Sequence, residues 1–118
     1  MKACLAIDES IKLELNVGKL YSLFQNINKD DYDFWWNISI EEDNHAALIR
    51  SGKEYFIPLG KFPESMVLKD YDRLRQMNGY IEELIVKYQK SLPSREEAFN
   101  IALFLELNAG ELHFQDFL

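Results

Sequence analysis

The chain has 118 residues, with 20 Asp and Glu against 13 Lys and Arg, for a formal charge of −7. That balance argues against nucleic acid or an anionic membrane surface as partner and makes cations the natural guests. Hydrophobic residues make up 47%, enough for one domain of this length to bury a core without staples. The lone cysteine, Cys4, cannot form an intramolecular disulfide and points to a reducing, cytoplasmic setting. The few apolar residues ahead of Asp8 are too short for a signal-peptide core, and no later apolar run approaches a membrane span.

The periodicity predicts an all-α chain. A first helix is expected over about residues 8–28, with Ile7, Ile11, Glu14, Gly18, Tyr21 and Gln25 on one seam and Asp8 and Glu9 in an acidic first turn. Asn26 to Asp30 reads as a turn, with Asp30 or Asp31 placed to cap a second helix over about 31–56. Pro58 ends that helix, because proline removes a donor and disfavours helix just before itself. A third stretch, about 65–90, repeats apolar residues at Leu74, Met77, Ile81, Leu84 and Tyr88, with Gly79 as a weak point. Ser94 followed by Glu97 is a capping box that opens a last helix over about 95–117, with Ala98, Ala102, Leu105, Ala109 and Leu112 on its apolar face.

Several core positions are ionisable. In the second helix the seam Trp35, Ile38, Glu42, His45, Ile49, Gly52 alternates steps of three and four, so a carboxylate and an imidazole leave the helix side by side. Burying an unpaired carboxylate costs several kcal/mol, roughly, so an inward Glu calls for a cation, a donor or a metal. Glu14 sits on the first seam beside Gly18, which would leave room next to a ligand, and Tyr21 could hydrogen-bond a ligand from the next layer. Glu106 is framed by Ala102 and Ala109. His113 is a further candidate, but it lies about 10 Å along the axis from Glu106 at 1.5 Å per residue, so it reaches the same ion only with help from another chain or a bend. Helical bundles hold metal with such inward Glu residues and Glu-x-x-His pairs. The competing class is a non-enzymatic acidic interaction module in which the same residues form a buried hydrogen-bond network.

The ordered set resembles the rubrerythrin-type branch of the ferritin-like superfamily. The matching residues are Glu14 with Tyr21; Trp35-Trp36-x-Ile38-Ser39-x-Glu41-Glu42-x-x-His45-Ala46-x-Leu48-Ile49; and Ala98-Phe99-x-x-Ala102-Leu103-x-x-Glu106-x-x-Ala109-x-x-x-His113-Phe114. The resemblance implies a ferritin-like antiparallel bundle. It also implies a di-iron carboxylate centre with Glu14, Glu42, His45 and Glu106 as ligands, with manganese or zinc as the alternative metals, and ferroxidase or peroxide-reducing chemistry fed by an electron-donor protein. The stretch from Pro58 to Pro93 becomes the crossover between the second and third core helices. The fourth core helix of that pattern has no counterpart in these residues. The expectation is therefore one ion per chain, or a homodimer that completes the bundle and shares ligands across a two-fold axis.

Overall fold

The computed structural model describes residues 2–60 and 64–110, with side chains over 5–60 and 71–108. Four helices account for most of them: α1, Lys2–Phe24; α2, Tyr32–Phe56; α3, Glu64–Lys90; and α4, Arg95–Leu105, which runs on into a π turn at Glu106–Gly110. The described chain is an all-α helical bundle, and no described helix is long and apolar enough to cross a membrane. Residues 111–118, and with them His113, Leu112 and the expected end of the last helix, lie outside the described residues.

Helix α1 begins at Lys2 rather than near Asp8, because Ala6 and Ile7 are buried in the core and draw the first turns into the bundle. It ends at Phe24, short of the expected Asn28, where Asn26 and Ile27 donate back to Leu23 and Phe24 in a tight turn. The cap expected from Asp30 or Asp31 comes from Asn28 instead. Its side chain accepts from Asp30 N at 2.9 Å and opens a short 3-10 turn, Lys29–Asp31. Asp31 makes no cap bond because its carboxylate is taken by Arg95, at 2.6 and 2.9 Å. That bidentate pair ties the start of α4 to the start of α2. Ser94 caps α4 by accepting from Glu97 N at 3.1 Å, but Glu97 does not close the box, since its carboxylate accepts from Tyr88 Oη at 2.9 Å.

The contacts fix the helix directions. Helix α2 is antiparallel to α1, with Lys53 against Asp8 at one end and Trp35 against Tyr21 and Phe24 at the other. Helix α3 is parallel to α1: Asn78 meets Glu9, and Tyr88 packs on Phe24. Helix α4 then turns back, from Glu97 beside Tyr88 to Phe104 beside Tyr80. The stretch expected as a crossover is thus a continuous helix packed along α1, and it does carry the chain from one end of the bundle to the other.

Tyr21, Phe24, Trp35 and Phe99 form the densest aromatic packing, with ring centroids 4.9 to 6.5 Å apart. Such rings supply a large share of a small core and hold it through edge and offset contacts. They sit one layer beyond the acidic residues. The close approach of α1 and α2 beside that layer depends on Gly18, where an added Cβ would lie 3.3 Å from Glu42 Cβ and from the Ser39 carbonyl oxygen. The room expected beside a ligand at Gly18 is therefore filled by α2 itself.

Candidate metal centre

The seam that α2 turns inward is Trp35, Ser39, Glu42, Ala46 and Ile49, all buried. It is rotated slightly from the one read in the sequence. Glu42 lies on it, 6% exposed, while Ile38, His45 and Gly52 fall on its shoulder, half-buried. The rotation turns the small Ser39 and Ala46 inward, and the Ser39 backbone meets α1 at Gly18. Glu14, 3% exposed, points from α1 into the same layer.

His45 Nδ1 lies 3.7 Å from Glu14 Oε2 and 3.6 Å from Glu42 Oε2. One atom from each of the three side chains falls within 4.8 Å of the others. Two donors that each sit about 2.1 Å from a common ion can be at most about 4.2 Å apart, so these separations suit a single transition-metal ion after small side-chain shifts. The donor set of two carboxylates and one imidazole suits iron, manganese and zinc alike.

Glu106 enters from α4. It is exposed as a residue, yet its Oε1 accepts a 2.8 Å hydrogen bond from the buried hydroxyl of Tyr21, itself 0% exposed. Glu106 also lies close enough to Glu42 to shift its ionisation. The expected link from Tyr21 to a candidate ligand is present, and it runs to Glu106. The π turn begins at this residue, the kind of local widening that recurs at functional positions.

Electrostatically the cluster is unfavourable as it stands. Burial pushes the Glu42 carboxyl up from its usual range, and hydrogen bonding and charge repulsion from Glu14 and Glu106 push it further. Glu14 is also raised, mainly by burial, with Glu106 adding to the effect and a hydrogen bond from Glu42 opposing it. Tyr21 is held protonated by burial and by the same acids. A divalent ion placed among these groups would reverse the balance, since it stabilises the ionised carboxylates that burial disfavours.

The structure brings Glu14, Glu42 and His45 together and places Glu106 at their edge; His113 is outside the described residues. Two residues that govern the site escaped sequence reading. Asp31 and Arg95 hold the start of α4 against the start of α2, and their separation of 64 positions leaves no local signal. No family profile, curated protein or solved structure matches the chain.

Proposed function

We propose that this chain is a metal-binding helical bundle of the rubrerythrin-like kind. In this reading Glu14, Glu42 and His45 hold iron, or manganese or zinc in its place, and Glu106 is the third carboxylate. The observation that carries it is the packing of two buried acids and an imidazole from two helices within 4.8 Å, in a layer where burial raises both acids.

Each residue has a distinct part. Glu14 and Glu42 supply negative charge from a water-poor layer, where they attract a cation more strongly than surface acids do. His45, with its side chain 35% exposed, faces the side from which an ion or small oxidant enters. Tyr21 orients Glu106 through its hydroxyl and fixes which oxygen stays turned to the cluster. Bound iron would supply ferrous-to-ferric electron transfer to oxygen or peroxide, and an electron-donor protein would return the electron.

The test is metal analysis of protein purified without chelator, followed by anaerobic ferrous titration. Saturable uptake of about one to two ions per chain is expected, with affinity lowered more than about 100-fold by Glu42→Gln, beyond the usual cost of losing an outer-shell partner. Non-saturable uptake that Glu42→Gln leaves unchanged would instead assign the cluster to a proton-sharing hydrogen-bond network.

A further inference from the structure

A groove of about 520 Å³ lies between α1 and α2, and none of Glu14, Glu42, His45 and Glu106 lines it. Its size falls in the range of small-molecule sites, about 300–1,000 Å³. The floor on α1 is apolar: Ile11 is 8% exposed, and Leu15, one turn on, is 41% exposed. Leu15 thus leaves hydrocarbon in contact with water that the apolar part of a guest would cover.

The walls are mostly cationic, against the acidic balance of the whole chain. Lys12 of α1 and Arg50 and Lys53 of α2 line the groove together with Asp8 and Glu54. The two lysines are already held by acids: Lys53 Nζ meets Asp8 at 2.6 Å, and Lys12 Nζ meets Glu82 at 3.0 Å. Arg50 is exposed, and among the described residues it makes no hydrogen bond or ion pair. Glu54 stands one turn further along α2, a spacing at which such pairs ordinarily form, and it too leaves Arg50 uncommitted.

We propose that this groove binds a small monocarboxylate with an apolar tail, its carboxylate on Arg50 and its tail along Ile11 and Leu15. A guanidinium offers a planar fork of donors that matches the two oxygens of a carboxylate, and it is more weakly hydrated than an ammonium. Asp8 and Glu54 set the charge of the guest, because they repel a doubly charged phosphate monoester more strongly than a singly charged carboxylate. The floor sets its tail: an anion with no apolar part gains only an exposed ion pair, which is worth little in water. The site shares no residue with the metal centre and stands whether or not that centre holds an ion.

Titration of the 15N-labelled, metal-free chain with sodium butanoate, hexanoate and octanoate tests the proposal, at about pH 6 where the carboxylates are ionised. Octanoate should move the backbone amide signals of residues 11, 15 and 50–54 saturably, with one site per chain. Affinity should rise by about two- to fourfold per added methylene. Arg50→Gln should lower it by at least about tenfold, and Leu15→Ser should flatten the dependence on tail length. Both positions are exposed, so helical circular dichroism should be unchanged in either variant. Octylamine, with the same tail and the opposite charge, should leave these signals in place, a comparison that needs no variant. Octanoate shifts that do not saturate or that fall elsewhere on the chain, octylamine binding as tightly as octanoate, or an Arg50→Gln variant with the parent affinity would each overturn the proposal.

Discussion

Helix α1 meets its two long neighbours through polar groups on both sides, and the two interfaces treat their mid-height acids in opposite ways. Against α3, each acid has a matched partner. Asn78, 2% exposed, donates to the Glu9 carboxylate at 2.7 Å and to its carbonyl at 3.0 Å, and accepts from Asn16 at 3.1 Å. Glu82 takes Lys12 at 3.0 Å and is held below the usual carboxylate range by it. Against α2, Asp8 takes Lys53 at 2.6 Å near the helix ends, but at mid-height acid faces acid, and Glu14 and Glu42 are both raised. Satisfied polar pairs stabilise register and need nothing else, whereas a buried like-charge cluster persists only when the surrounding fold supports it. The contrast separates a satisfied polar interface from one whose acids carry an electrostatic cost.

The largest expected effect breaks that contrast through pH. Because Glu14 and Glu42 hold their protons more tightly folded than unfolded, the folded chain binds more protons. Stability without metal is therefore full below the ordinary glutamate value of 4.5 and is lost as pH rises toward the raised folded values. At about 1.4 kcal/mol per unit of pKa difference, the loss between pH 5 and pH 8 should be on the order of 3 kcal/mol. Urea unfolding with chelator present measures it, and Glu42→Gln should flatten the slope while saturating metal restores stability at pH 8. A metal-free parent chain as stable at pH 8 as at pH 5 would remove the asymmetry between the two interfaces.

Gly18→Ala comes next. Its Cβ would press on the Ser39 carbonyl and Glu42 Cβ, so forcing α2 outward should cost about 2 kcal/mol and weaken metal uptake in the same titration. Asn78→Ala strikes the opposite interface. Leaving its partners in a buried site without their donor should cost about 1.5 kcal/mol by urea unfolding, with metal affinity unchanged. If Asn78→Ala lowered metal affinity as much as Gly18→Ala does, the two interfaces would not be functionally distinct. The smallest effect is favourable: Gly79 has nothing within 4 Å of an added Cβ, so Gly79→Ala should stabilise α3 by about 0.5–1 kcal/mol, read as a raised thermal midpoint.

The helices were legible in the sequence because their signals are local. Pro58 and the Ser94 cap marked ends that the structure keeps, and the apolar repeat from Leu74 to Tyr88 marked a helix that it buries at Leu74, Ile81 and Tyr88. Glu14 and Glu42 could be placed inward because spacing alone assigns a helix face. The rotation that buries Ala46 and leaves His45 on the shoulder could not be read in advance, since it depends on which side chains of α1 stand opposite, Gly18 above all. Asn78 went unnoticed because a buried amide among apolar neighbours looks like an interruption until its partners on α1 are in view. The early start of α1 was hidden by Asp8 and Glu9, whose acidic pair reads as a first turn even though the helix is already under way.

The bidentate grip of Arg95 on Asp31 has a consequence at the far end of α4. Eleven residues make a helix that is marginal in water by itself, so α4 stays docked through that grip, through Glu97 on Tyr88 and through the ring of Phe99. These three holds lie in its first two turns; at the opposite tip Phe104 packs on Tyr80, Leu105 is 1% exposed and Glu106 accepts from Tyr21. The short helix is thus clamped at both ends, and loosening Arg95 removes one clamp from the segment that carries the Glu106 carboxylate without touching Glu14 or Glu42.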